Sequence, residues 1–340
     1  AGFLNGDAAA YVAQGWAGDL GQRWVHLGYV ALAAAMSWLG PWLPRALDGV
    51  SALAGGVVTV AASHRAERPL QAACFAGACV LPWVAFAEVD LVWMAGVVAA
   101  AVVPSEVAAA ALVAGAVAVS PTALLALGWV ALTRRRAAGT VAGAVVAVAL
   151  LTGVSGGAWW WGDRGVLGAT FLPGRTLEAW AASGTWVLAL LARERRLLAL
   201  LPLLLAPPDV PAWVLLGVAA GRELPERPWT RGLLLAAVLA GLWGLGERRA
   251  RVAREHRILL HTAGAVPDDA VVEAPWSWGA RWSVLASGQV YGRRWVAVPE
   301  AVRDQRRCPA SQVVRLPPGE EPSTGTLRVD ELGVSWGPGC

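Results

Sequence analysis

Residues 139–161 read GTVAGAVVAVALLTGVSGGAWWW and carry no charged side chain. As a helix they would be about 35 Å long, which is enough to cross the ~30 Å hydrocarbon core of a bilayer. Arginines precede the stretch, at Arg134-Arg135-Arg136, and tryptophans end it, at Trp159-Trp160-Trp161. Arginine on the cytoplasmic side and tryptophan at the membrane surface are typical of membrane-spanning helices. The stretch therefore predicts such a helix.

The rest of the chain has the composition of a membrane protein. Of its 340 residues, 56% are hydrophobic and 15% are charged, and the mean hydropathy is +0.51. A soluble domain has about 25% charged residues. The composition excludes a disordered chain and a small disulfide scaffold. We expect an α-helical polytopic membrane protein that ends in a small α/β domain.

The net charge of +4 does not predict nucleic acid as a partner. All 28 basic residues are arginine. Those within 46–246 stand mostly in short loops between apolar runs, where basic residues set the orientation of a membrane protein. The 20 tryptophans also suit a membrane surface, because the ring is apolar and its N–H needs a polar partner. We expect membrane lipids as partners.

The apolar runs and the polar stretches divide the chain into three regions. Short β-like runs, at 269–274, 312–316 and 326–335, mark the last region as a folded domain. The regions are 1–45, a first outer loop with interfacial helices; 46–246, a transmembrane helical domain; and 247–340, a small soluble extracytoplasmic domain.

The absence of lysine beside abundant alanine, glycine, valine and arginine is typical of a GC-rich bacterial genome, so we expect a bacterial inner membrane, in which the positive-inside rule orients the chain. The arginine-bearing loops should be cytoplasmic, namely 64–68, 134–136, 193–196 and 222–231. Outside would lie 1–44, 88–90, 162–178, 208–209 and the C-terminal domain. The arginine-rich segment 247–257 contradicts the rule, because it would also lie outside. Reading 197–221 as one span instead of two would put the C-terminal domain in the cytoplasm and remove the contradiction.

The stretch between Asp90 and Arg134 is too short for three full crossings. Its 43 residues give about 65 Å of helix, whereas three crossings of a ~30 Å core need about 90 Å. We expect either short, tilted helices in a thin region or one crossing helix beside another that lies flat.

Acidic residues at the predicted outer face are the first candidate site residues. They are Asp7, Glu88 and Asp90, the last two at the end of an apolar run. A carboxylate beside hydrocarbon is costly, so its presence points to pairing, ion binding or catalysis. Such acids can act as a general base, and Glu88 with Asp90 can bind a divalent cation such as Mg²⁺ or Mn²⁺. The alternative is a set of solvated helix ends.

Basic residues at the same face are the second group. His26 stands where an amphipathic segment becomes apolar and can bind a phosphate or an acid, or can be satisfied by the backbone. Arg23, Arg164 and Arg175 can hold a phosphate through paired hydrogen bonds, or meet lipid headgroups.

The cysteines do not form a metal motif, and the chain has no Gly-x-Ser-x-Gly and no phosphate-binding loop with lysine. Cys74 and Cys79 lie in an apolar run and are expected to be small core residues. Cys308 and Cys340 fall in the domain that we expect in an oxidising compartment. They are therefore candidates for a disulfide, with free thiols as the alternative.

Four short stretches resemble the GT-C superfamily of integral-membrane glycosyltransferases, and most closely its protein O-mannosyltransferase-like bacterial members. They are Gly6-Asp7 with the following His26-Leu27-Gly28-Tyr29; Trp83 to Asp90 (WVAFAEVD); Ala114 to Pro121 (AGAVAVSP); and Pro208 to Trp213 (PDVPAW). A soluble domain after the last helix is also similar. A chain of this kind would have a further helix before Ala1.

The resemblance implies a transferase that uses a polyprenyl-phosphate-linked sugar at the outer leaflet. Asp7 would be the general base, and Glu88 and Asp90 would orient the acceptor or a divalent cation. The donor phosphate would be bound by Arg23, His26, Tyr29, Arg164 and Arg175. The lipid tail would enter an apolar groove between short, broken helices.

Two other functions remain open at this point. A cation-coupled transporter would use Glu88 and Asp90 as its ion site, but it should carry acids at mid-membrane and an inverted repeat. A non-catalytic membrane subunit would bind a partner through its outer domain.

Overall fold

The computed structural model of this protein describes residues 11, 26–64, 66–84, 89–134, 137–161, 214–215, 217–218, 221–222, 225, 227–265, 271–274, 296–299, 313–315, 326–329 and 332–337. The chain divides into two compact units. One unit comprises residues 20–31 and 48–246 and is called the bundle unit below. The other comprises residues 1–19, 32–47 and 247–340.

The described residues are predominantly helical. Short 3₁₀ turns at Ser37–Trp42, Leu81–Trp83 and Pro121–Ala126 connect or extend the helices. The helices are α1 (Leu27–Ala35), α2 (Leu43–Ser63), α3 (Pro69–Val80), α4 (Val89–Val102), α5 (Glu106–Val119), α6 (Leu127–Arg134), α7 (Ala138–Ser155), α8 (Ala158–Trp161) and α9 (Pro228–Ala265).

Three of these helices are long and apolar enough to cross a membrane. They are α2, α7 and the Pro228–Ala250 part of α9. Their lengths, which match the thickness of the hydrocarbon core, and their exposed valine and leucine side chains indicate a helical membrane protein. The predicted membrane-spanning stretch, 139–161, falls almost entirely in α7 and α8.

The segment between Asp90 and Arg134 forms three short pieces that pack side by side. They are α4, α5, and the 3₁₀ turn that continues into α6, each about 20 Å long. Gly96 of α4 faces Leu112 and Ala116 of α5. Short helices, the first of the two arrangements expected for this region, are present. Helices α4 and α5 pack against each other.

Side-chain caps define where these short helices begin. Ser105 accepts a hydrogen bond from the Ala108 N–H at 3.2 Å and so caps α5. Ser120, which is buried, accepts from the Thr122 N–H and caps the following 3₁₀ turn. The end of α7 is set by Gly156, whose positive φ of 59° closes the helix as only glycine does readily.

Helix α4 is at the centre of the core of the bundle unit. Nine of its 14 residues are buried, including Trp93 and Met94, which are fully enclosed. A helix that is apolar around its circumference is expected in the middle of a bundle. Trp159 is also fully buried, so the Trp159–Trp161 group predicted for the membrane surface contributes at least one ring to the core.

Helix α9 runs parallel to α3 within the bundle unit. Phe75 packs against Leu233, Leu234 and Ala237, further along Gly241 lies against Ala78, and Gly244 lies against Pro82. Both helices therefore point the same way. Because α9 is one continuous helix to Ala265, it is about 57 Å long, nearly twice the thickness of a hydrocarbon core.

The second unit contains a five-stranded sheet. The strands are β1 (Val271–Ala274), β2 (Val296–Pro299), β3 (Val313–Arg315), β4 (Thr326–Val329) and β5 (Leu332–Gly337). Their order in the sheet is β2-β1-β3-β5-β4, with β1 parallel to β2 and β3, and β5 antiparallel to β3 and β4. Within 247–340 the described residues comprise the last part of α9, to Ala265, and these five strands.

Candidate functional site

A buried arginine joins several helix ends in the described part of the bundle unit. Arg134 ends α6, and its side chain is only 4% exposed. Its Nη1 donates to the carbonyl oxygen of Ala100 at 2.7 Å and to that of Val103, at the end of α4. Its Nη2 donates to Glu106 Oε1 at 2.6 Å, at the start of α5. One side chain thus ties the ends of three short segments together.

The partner of this arginine joins a fourth helix. Glu106 is 30% exposed, and its Oε2 accepts a hydrogen bond from the backbone N–H of Gly139 at 2.8 Å, at the start of α7. A carboxylate at the start of a helix is favoured by the helix dipole. We call Arg134, Glu106 and the backbone groups that they bind the clamp, and the end of the bundle where they lie the clamp end.

The clamp occurs where α5 and α7 approach closely. A Cβ on Gly139 would overlap the backbone of Glu106, and one on Gly143 would overlap Ala110. Gly139 and Gly143 form a Gly-x-x-x-Gly pattern, which allows two membrane helices to pack with their backbones in contact. The sequence predicts a cytoplasmic loop at 134–136 and does not predict that Arg134 pairs with Glu106. The only signal for it was an isolated acid, Glu106, between two apolar runs.

His26, predicted to contact a phosphate, is bound to the backbone at the other end of α5. Its Nδ1 lies 2.9 Å from the carbonyl oxygen of Val119. A carbonyl can only accept, so Nδ1 carries the proton. Next to it, a Cβ on Gly28 would lie 2.7 Å from the carbonyl carbon of Ala118. This geometry is that of the alternative considered for His26, a histidine satisfied by the backbone.

Two other predicted site residues lie within the described helices. Tyr29 is in α1 and is fully buried. Asp90 is in the first turn of α4, and its Oδ1 accepts a hydrogen bond from Trp93 Nε1 at 2.7 Å. Because Trp93 is fully buried, this bond satisfies an indole N–H that would otherwise be costly.

The remaining predicted site residues lie outside the described residues. Among the residues that are described, no three His, Cys, Asp or Glu side chains come together as a metal site. Cys74 and Cys79 are free thiols in α3, each half-buried. The residues outside are Asp7, Arg23, Glu88, Arg164, Arg175, Cys308 and Cys340.

An open apolar groove runs along one face of α2, and we call it the α2 groove. It has a volume of about 940 Å³ and extends from Gly49 to His64, about 22 Å along the helix. The end of α4, with Val102, Val103 and Pro104, forms its other side. His64 is the polar side chain in this lining and lies at the clamp end. The residues contributed by α2 and its end are Gly49, Ala52, Leu53, Gly56, Val57, Val60, Ala61 and His64.

The small residues of α2 keep this groove open. A Cβ added to Gly49 or to Gly56 would meet no atom within 4 Å. On another face of the same helix, a Cβ on Gly55 would press on Val80 of α3. One glycine of α2 thus serves helix packing, whereas two others leave space.

Comparison with known proteins adds no relative. No protein-family model, no curated protein and no solved structure matches this chain.

Proposed function

We propose that this protein is an integral-membrane glycosyltransferase of the GT-C type, which moves a sugar from a polyprenyl-phosphate donor to an acceptor at the outer face of the bacterial inner membrane. The observation that carries the proposal is the α2 groove. Its volume lies in the range of about 300–1,000 Å³ that is usual for ligand sites, and its long, apolar shape suits an aliphatic chain.

The orientation of the groove is consistent with such a donor. If the clamp end is cytoplasmic, as the arginine loops predict, the Gly49 end of the groove faces the outer leaflet. The donor phosphate would lie near that end and the lipid tail along α2. The soluble C-terminal domain would then be extracytoplasmic.

In this proposal the acids and bases of the outer face act on the sugar and the phosphate. Asp7 would deprotonate the acceptor, and Glu88 and Asp90 would orient it. Arg23, His26, Tyr29, Arg164 and Arg175 would contact the donor phosphate, whose departure leaves negative charge to be stabilised. A divalent cation would have to be held by Glu88 and Asp90.

The test is turnover of a lipid-linked sugar by the full-length protein in nanodiscs. The probe is polyprenyl-phosphate mannose, and the readout is the release of polyprenyl phosphate. We expect Asp7→Asn to lower turnover by at least about 100-fold, the usual contribution of a general base. Unchanged turnover in this variant would remove Asp7 from the mechanism.

The groove is tested by filling it. Gly56→Leu places a side chain in the α2 groove without a clash, so it should raise the KM for the donor while leaving the fold intact. The matched control is Gly115→Leu, at another exposed helix glycine with open space around it. Equal kinetics for the two variants would show that the donor does not use the groove.

A second candidate function is a non-catalytic membrane subunit. It is favoured by the engagement of His26 and Asp90 with groups of the protein itself, Val119 and Trp93. In that case wild-type protein would release no polyprenyl phosphate, and His26→Ala would change only the stability of the bundle. A cation-coupled transporter receives no comparable support from the described residues.

A further inference from the structure

Helix α9 carries an unusual charge distribution immediately after its apolar part. Residues 247–257 contain five arginines and two glutamates. The helix does not break at this point but continues to Ala265. Of the first residues in this segment, Arg249 is exposed and Arg248 is half-buried.

The direction of α9 decides at which end of the bundle these arginines emerge. Within the bundle unit, α2 runs toward the clamp end, since His64 lies beside Val103 and Pro104. Helix α3 returns from that end, with Gly55 of α2 against Val80 of α3. Because α9 is parallel to α3, it leaves the bundle at the end opposite to the clamp. Residues 247–257 follow this end directly in the same continuous helix.

The depth of the segment follows from the apolar part of α9. Only 11% of the span Pro228–Ala250 is buried within the protein, and Trp243 is 71% exposed. An exposed tryptophan near the end of an apolar helix is typical of the membrane surface. Residue 247 stands about one turn after Trp243 in the same helix, so the arginine-rich segment begins at the level expected for the lipid headgroups.

The five arginine positions are spread around the helix. With 3.6 residues per turn, positions 248, 249, 251, 254 and 257 fall on all sides of the axis and form no single stripe. A stripe would be expected if the segment docked on one partner helix. Arginine positions on every side of the helix axis instead suit an environment that surrounds the helix, as lipid headgroups do.

We propose that residues 247–257 bind the phosphate groups of anionic phospholipids in the leaflet at this end of the bundle. The positive-inside rule disfavours arginine at both ends of one helix, and Arg227 and Arg231 already mark the other end. Negatively charged headgroups offset this unfavourable charge and fix the depth at which α9 leaves the membrane. This assignment does not depend on any glycosyltransferase activity.

The experiment measures lipid retention by the full-length protein in neutral detergent, using native mass spectrometry. Phosphatidylglycerol is compared with phosphatidylcholine for wild type and for the triple variant Arg248→Gln, Arg249→Gln, Arg251→Gln. Each arginine near an anionic surface contributes about fivefold to affinity, so the triple variant should lose at least about tenfold for phosphatidylglycerol and nothing for phosphatidylcholine. The difference should shrink in about 1 M salt, where the Debye length is about 3 Å.

A charge-conserving variant controls for damage to the helix. Arg248→Lys, Arg249→Lys, Arg251→Lys keeps the positive charge and should retain phosphatidylglycerol nearly as wild type does. Inorganic phosphate alone should not displace the lipid, because free phosphate has no acyl chains that hold it beside the helix. The proposal is overturned if wild type retains both lipids equally, or if the glutamine variant retains phosphatidylglycerol as wild type does. Displacement by a short RNA or by inorganic phosphate would likewise overturn it.

Discussion

Glu106 Oε1 and Arg134 Nη2 are 2.6 Å apart, although 28 positions separate the two residues along the chain. Between the two residues, α5 runs away from the clamp end, and the 3₁₀ turn with α6 runs back to it. Arg134 is almost completely buried, and its Nε has no acceptor among the described residues. The pair therefore connects the ends of α4, α5, α6 and α7 at the clamp end.

Removing the carboxylate of the clamp should destabilise the protein. Glu106→Gln leaves the buried guanidinium of Arg134 without a counterion, which typically costs about 3 kcal/mol. The measurement is the free energy of unfolding in detergent micelles. Glu67→Gln, an exposed acid just before α3, is the control and should change this free energy by less than about 0.5 kcal/mol. Equal effects of the two substitutions would mean that the clamp carries no special stability.

The packing of α7 on α5 should be sensitive to a single methyl group. Gly143→Ala forces a Cβ into the backbone of Ala110, and overpacking of this kind costs about 1–3 kcal/mol. The control lies on the same helix: Gly153→Ala meets no atom within 4 Å and should stabilise α7 by about 0.5–1 kcal/mol. Thermal unfolding of both variants measures the contrast. If Gly143→Ala is as stable as Gly153→Ala, the two helices do not approach as closely as described.

The short helices predict a preference for thin membranes. Helices α4 and α5 have 14 residues each, about 21 Å, which is shorter than a ~30 Å hydrocarbon core. Mismatch costs a fraction of a kcal/mol per Å, so the unfolding temperature should be highest in nanodiscs of short-chain phosphatidylcholine. A series of phosphatidylcholines with acyl chains of about 14 to about 22 carbons varies the thickness of the bilayer and tests this prediction. Maximum stability in the longest lipids would contradict the prediction.

Because α3 and α9 run parallel, the start of α3 and the distal end of the α9 span should face opposite sides of the membrane. In a background without the native cysteines, Arg68→Cys marks the start of α3 and Ala250→Cys marks the distal end of the α9 span. An impermeant maleimide added to sealed, oriented vesicles should label one of the two positions and not the other. Detergent should expose both, which controls for thiol reactivity. Labelling of both from one side would show that α9 does not cross as proposed.

The sequence by itself determined that this is a chain of apolar helices. The run 139–161 has no charge and is long enough to span a membrane, and α7 occupies most of it. This helix could be predicted because apolarity and length are properties of the segment itself and do not depend on its neighbours in the fold. The exit of α9 into an arginine-rich segment was also visible in the sequence as a violation of the charge rule.

Only the tertiary structure decided which residues meet. His26 and Glu106 look alike in sequence, as isolated polar residues at the edge of apolar runs. Their partners, the Val119 carbonyl and Arg134, lie 93 and 28 positions away. Likewise Gly56 and Gly143 are both helix glycines, yet one leaves the α2 groove open and the other admits a neighbouring backbone. Such contacts depend on how helices pack against one another, and a linear pattern of hydrophobicity does not contain that information.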